Sequence, residues 1–233
     1  MNLTEWRLEM TIETNDLLNS ILKSLSRIEH VKVEDIPNID LYMDQVTTFM
    51  DTKLKNTARN KEEDKILTKT MINNYAKNNL LPPPVKKKYS KEHVLLLIFI
   101  YYYKGILSIN DIQTLLNPVT ENFFQNGKDF GLKEVYNEVF SMEEKEIEAL
   151  KKDITDKFQV AQDTYQDAPK EHQEFLRMFS FISLLSYDVY VKKLLIEKMI
   201  DEIASKSQVE TTKDVKKESK KESKKDTKKD EES

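Results

Sequence analysis

Seven lysines stand between Lys65 and Lys91 with no aspartate or glutamate among them, in a chain of 233 residues whose net charge is −4. A local cationic surface on an acidic protein suits a polyanion, because neutralising phosphates releases condensed counterions, and that release favours nucleic-acid binding whatever the sequence. Within this stretch Thr70, Asn73, Asn74 and Lys77 share or adjoin one face of a helix, with Met71, Ile72 and Tyr75 left to point inward. Asparagine can read a base edge through its paired donor and acceptor, while lysine holds phosphate. The candidate nucleic-acid-binding residues are therefore Lys69, Thr70, Asn73, Asn74 and Lys77, flanked by a basic connector of Lys86, Lys87 and Lys88. Tyr89 closes that connector and would anchor it to the core.

Catalytic chemistry has no comparable foothold. His30, His93 and His172 are far apart and lack partners at metal-ligand spacing; there are three glycines and no phosphate-cradling loop, and no Ser sits in a nucleophile motif. No enzyme, metal or cofactor is expected, and His93, at the start of an apolar helix, reads as a structural or surface residue. Zero cysteines rule out a disulfide framework and fit a reducing cytoplasm. The opening MNLTEWRLEM has no basic stretch leading into an apolar core, so no secretory signal is read there. The longest apolar run, Val94–Tyr103, has ten residues where a membrane span needs about 20. The expectation is a cytoplasmic protein without membrane contact.

Few glycines and an abundance of Lys, Glu, Leu, Ile and Met imply an all-α fold, in which the basic connector is the one candidate for a small β wing. An N-terminal helix within residues 1–35 carries Leu18, Ile21, Leu25 and Ile28 on a stripe that starts near Trp6. Pro37 breaks the pattern, and Leu41 to Leu54 resumes it with Val46, Phe49, Met50 and Leu54. Residues 55–64 read as a loop or frayed helix end. Thr68 is an N-cap for a helix to about Asn79, stopped ahead of Pro82, Pro83 and Pro84. An apolar helix from Lys91 to Lys104 follows, and Ser108 with Asp111 forms a capping box for Ile109–Leu116.

The NGKDFG run at 126–131 is the best internal boundary. Beyond it Ser141 with Glu144 reads as a capping box opening a helix with Ile147, Leu150, Ile154 and Phe158 on one face. After Pro169 a second helix presents Phe175, Phe179, Ile182, Leu185 and Val189 and continues to about Ile203. Residues 132–204 could thus form an antiparallel helical hairpin. The final segment, 206–233, holds ten lysines and eight acids, net +2, which leaves −6 on the body; with almost nothing apolar to bury, it reads as a disordered tail.

The stretch MINNYAKNNLLPPPVKKKYSKEHVLLLIFIYYYKGILSINDIQTLL resembles the DNA-binding domain of MerR-type transcriptional regulators. That family has a recognition helix ending in Tyr-x-x-x-Gly-Leu-Leu-Pro, a basic wing closing in Arg-Tyr-Ser, an apolar helix and a capped helix. Tyr75, Leu80, Leu81 and Pro82 match, as do Lys88, Tyr89 and Ser90 for the wing, and Ser108 and Ile112 for the capped helix. Asn79 replaces the glycine, and asparagine is the other residue that best tolerates a left-handed C-cap. Asn73 stands where an arginine is usual, which shifts phosphate binding onto the lysines. The long Leu41–Leu54 helix and about ten extra residues after it depart from the family's tight turn. IPNIDLYMDQVTTFMD with LTKTMINNYAKNNLLPPP resembles, more closely, an uncharacterised bacterial family of unknown function that is a distant relative of MerR.

The resemblance spans about Ile36–Leu116. It implies a MerR-like winged helix-turn-helix DNA-binding domain at 36–118, followed by a C-terminal helical region. Function by that likeness is sequence-specific transcription regulation on double-stranded DNA, as a homodimer joined through the 132–204 helices. No residue cluster identifies a small-molecule effector. The competing reading is a helical adaptor that meets an acidic protein partner with the same basic surface.

Overall fold

The computed structural model describes residues 14–25, 30–125, 127 and 129–229. The fold is mostly helical with one small two-stranded sheet among the described residues. Its centre is helix α4, Lys91–Tyr103, in which every residue from His93 to Ile100 is buried. A helix apolar on all sides is stable only when enclosed, so the neighbouring elements are arranged around it.

Helix α2, Met43–Leu54, turns Val46, Met50 and Leu54 inward at four-residue steps. Helix α3, Lys69–Lys77, contributes Ile72 and Tyr75, and helix α5, Ile109–Phe123, contributes Ile112 and Leu116. Helix α6, Leu132–Gln162, adds Leu132, Tyr136 and Phe140 to the same core. Phe99 of α4 meets Tyr136 at 5.4 Å and stacks on Phe140 at 5.7 Å, so the core runs on past the glycine-bearing loop. Tyr136 Oη donates to the carbonyl of Val31 at 2.5 Å, tying the chain before β1 to α6. Strand β1, Leu41–Tyr42, leads into α2 and pairs antiparallel with β2, Lys88–Tyr89, in the register Leu41–Tyr89 and Tyr42–Lys88.

A second, smaller cluster lies between helix α1, Thr14–Leu25, the end of α6 and the start of helix α7, Lys170–Lys229. Leu18, Phe158, Ala161 and Phe181 are buried there, and the Phe158 and Phe181 rings meet edge to face at 5.3 Å. Lys157 reaches Asp188 at 3.6 Å across the α6–α7 pair. Farther along, Ile200 of α7 is buried in the main core with Ile196 packed against it. The trace of α7 enters the Lys/Glu segment, whose four-residue charge beat suits an isolated solvated helix; such a helix, with no apolar stripe, frays readily. The tail expected from composition is that segment.

Several elements differ from their sequence readings. Helix α5 passes through Pro118 and ends at Phe123 rather than Leu116. Ser141 is not an N-cap: it lies inside α6, where its Oγ donates to the Glu138 carbonyl at 2.9 Å. The helix opens ten residues earlier, where the Glu134 carboxylate accepts the Gly131 N–H at 2.8 Å. In α1, Leu18 is buried and Ile21 faces out, while Trp6 and Ile28 lie outside the described residues. Among the described residues no helix is long and apolar enough to cross a membrane.

Candidate nucleic-acid interface

Helix α3 is set by its two ends. Thr68 Oγ1 accepts the Met71 N–H at 3.1 Å, which satisfies one of the donors a helix start leaves unpaired. At the other end Asn79 takes φ +55°, the Leu80 N–H donates to the Tyr75 carbonyl at 2.9 Å and the Asn79 N–H to Ala76 at 3.3 Å. These are the two bonds of a Schellman stop, with asparagine in the left-handed position where glycine is commoner. The buried Leu80 and Leu81 then fix the chain's exit against the core.

With about 100° per residue, Lys69, Asn73, Lys77, Thr70 and Asn74 fall within an arc of about 140°. All five are exposed, while Ile72 and Tyr75 are buried opposite, and burial raises the Tyr75 phenol above its usual range. Met71 does not turn inward as its neighbours do; it sits exposed at the flank. Nine residues make a helix about 13 Å long, comparable with a major groove about 12 Å wide.

The connector forms a tight hairpin. Val85 and Lys88 exchange both backbone hydrogen bonds, at 3.1 and 2.9 Å, leaving Lys86 and Lys87 as a two-residue tip with φ +51° and +64°. Left-handed values at both central residues define the turn that normally calls for Asn-Gly. Lysine there is strained, by about 1 kcal/mol or more per residue. Both lysines are exposed, held clear of the body by Pro82, Pro83 and Pro84 on one side and β2 on the other.

The hairpin is rooted on His93 and Tyr89. His93 is 1% exposed; its Nδ1 accepts the Ser90 N–H at 3.0 Å in the place of the usual glutamate of a capping box. That makes Nδ1 unprotonated and puts the proton of the neutral ring on Nε2, which makes no hydrogen bond of good geometry among the described residues. Burial pushes the imidazole below its usual range; the carbonyls of Pro83 and Pro82 and the charge of Asp40 oppose that shift. Its ring lies edge-on to Tyr89 at 5.5 Å and Phe124 at 4.8 Å, so it joins the hairpin, α4 and the end of α5. The Gln125 N–H, just past α5, donates to Glu92 Oε2 at 2.9 Å and secures the same corner.

The start of α2 joins the two halves of the site. Lys69, at the head of α3, is ion-paired with Asp44 in the first turn of α2. Two residues before Asp44 stands the exposed Tyr42, and Lys88 lies 5.2 Å over its ring, in register with it across the β1–β2 pair. Thr70, Asn73, Asn74, Lys77, Lys86 and Lys87 are thus presented to solvent, whereas Lys69 and Lys88 are engaged by neighbours. Tyr89 is 3% exposed and cannot contact a ligand; it is the anchor of the hairpin. Lys91 donates to Asn38 Oδ1 at 3.0 Å.

Tyr42 and the exposed Val85 beside the tip were not legible as site residues, because only pairing with Lys88, 46 residues away, brings Tyr42 to the connector. Among the described residues no group of histidine and carboxylate side chains could hold a metal ion.

No curated protein and no solved structure matches the chain. The region that begins beside the Val31 carbonyl and ends just past the Tyr136 hydroxyl that binds it does have relatives: residues 31–139 match a family described as Domain of unknown function (DUF1836).

Proposed function

We propose that this chain is a sequence-specific DNA-binding transcriptional regulator of MerR-like winged type, with α3 entering the major groove and the Lys86–Lys87 tip gripping the adjoining backbone. The observation that carries this reading is the tip itself. Two lysines occupy left-handed positions that would fold more easily as Asn-Gly, so the turn sustains strain in order to present charge. The order strand, helix, polar-faced helix, basic hairpin, apolar helix, capped helix supports the MerR likeness. Asn73 and Asn74 would read base edges, and Lys77, Lys86 and Lys87 would hold phosphates. The reading assigns no catalysis.

The test is a fluorescence-polarisation titration of the protein on genomic duplex fragments across a range of salt, beside the double variant Lys86→Asn/Lys87→Gly. Tight binding with a steep salt dependence is expected, and the variant should lose close to two units of log–log salt slope, about 0.9 for each phosphate contact. Asn74→Ala should instead alter sequence preference with the slope unchanged. Equal binding and slope in the Asn-Gly variant would overturn the assignment of the tip.

A helical adaptor is the second reading. It is favoured by the exposed Tyr42 and Val85 beside the tip, which with the lysines give a mixed apolar and basic surface of the kind protein partners use, and by the neutralisation of Lys69 by Asp44. Absence of DNA binding at physiological salt together with a shallow-slope protein complex lost on Tyr42→Ala would establish it.

A further inference from the structure

The short segment from Asn38 to Asp44 holds three lysines of the basic stretch, each from a different part of it. Asn38 Oδ1 accepts from Lys91, the Tyr42 ring lies under Lys88, and Asp44 is ion-paired with Lys69. Asparagine and tyrosine position an ammonium and leave its charge intact. Asp44 instead cancels the charge it holds. Among the described residues Lys69 is the one lysine between 65 and 91 that meets a carboxylate.

The pair does little for the fold. Its lysine and aspartate side chains are 59% and 74% exposed, so solvent screens it, and pairs of that kind contribute little to stability. Its effect on the surface is larger. Lys69 is the first residue of α3, so the pair silences the head of the helix whose foot carries the free Lys77 and beside which stand Lys86 and Lys87.

We propose that Asp44 is a brake on sequence-independent DNA binding: it keeps Lys69 off the phosphates and so weakens the hold of this surface on every duplex alike. The inference rests on the DNA reading above and adds to it a residue of opposite sign. A phosphate that took Lys69 would leave the Asp44 carboxylate unpaired beside a polyanion, so like charge opposes the exchange. Base contacts from Asn73 and Asn74 are untouched, and release is hastened from sites that offer phosphate alone. One withheld phosphate contact is about 0.9 of log–log salt slope, or about fivefold in affinity at about 0.15 M salt relative to 1 M.

Asp44 also stands in the first turn of α2, where a carboxylate suits the helix dipole. The two roles differ in sign. Replacing a purely structural Asp44 leaves binding equal or weaker, whereas replacing a brake tightens it.

The test is a polarisation titration of the full-length protein on one random-sequence duplex across a range of salt. Asp44→Asn should bind about fivefold tighter at about 0.15 M salt, with a slope steeper by about 0.9. Lys69→Ala alone should leave the slope unchanged, since the ammonium it removes is not on phosphate. Asp44→Asn/Lys69→Ala should return to the wild-type slope. Asp40→Asn changes net charge equally at an exposed acid of the same segment, and should move the slope less than half as much. Asp44→Asn binding no tighter than wild type, a gain that survives Lys69→Ala, or an equal gain from Asp40→Asn would each overturn the brake and leave the DNA reading in place. A wild-type protein that binds no duplex even at the lowest salt would overturn the DNA reading, and the brake with it.

Discussion

His93 does the work of a capping glutamate with a group that must stay neutral. Because burial lowers its folded-state pKa below 6.5, the unfolded chain takes up the proton first as pH falls. The stability it contributes is therefore complete above about pH 6.5 and is lost progressively below it, toward the lowered folded value. Urea unfolding at pH 7.5 and pH 5.5 should show a fall in stability for the wild type and a smaller one for His93→Gln, which keeps an acceptor for the Ser90 N–H without titrating there. The hairpin tip makes the opposite trade: Lys86→Asn/Lys87→Gly should raise unfolding stability by about 1 kcal/mol while weakening DNA binding, a divergence that plain structural damage does not produce. Sequence pattern reached some of these residues and missed others for a physical reason. Asn79 was legible because asparagine is itself a left-handed C-cap signal. Lys86 and Lys87 were legible as charge but not as a turn, because they violate the preference by which such turns are recognised. His93 gave no sign of its capping role, since imidazole is rare at that position.

At the scale of elements, caps and breaks decide where helices lie. Thr68→Ala removes the acceptor for the Met71 N–H at the head of α3 and should cost about 1 kcal/mol by chemical denaturation, with a parallel loss of DNA affinity if α3 is the reading helix. Ser108 and Asp111 satisfy each other's backbone donors in the box expected from sequence, at 3.1 Å in both directions. Ser141 and Glu144 offer the same spacing, yet helix already passes through Ser141, because Leu132, Tyr136 and Phe140 bury a face of α6 in the core and carry the helix start back to Gly131. Local capping signals are outweighed when an apolar face upstream can be buried. Pro118 shows the same order of strengths: α5 continues through it. The connector that holds Lys88–Tyr89 was legible as a β candidate but its partner Leu41–Tyr42 was not, since the two become strands only through each other.

Across the whole molecule, one hydrogen bond joins regions that the chain keeps far apart. Tyr136→Phe leaves the buried Val31 carbonyl without its donor and should destabilise by about 1–3 kcal/mol, read from a urea melt. Truncation after residue 205 should leave the melting temperature within error, because the apolar seam of α7 ends before it. The Val31–Tyr136 bond also has a consequence in time. It spans 105 residues, and the β1–β2 pairs span 46 and 48, so the core around α4 closes only through contacts distant in sequence. Closure of that kind is slow compared with helix formation. On a ribosome the helices up to α5 would emerge and coil while still lacking the aromatic face of α6 that encloses them. The nascent chain would thus wait, with its most apolar helix uncovered, until Tyr136 and Phe140 have cleared the exit tunnel.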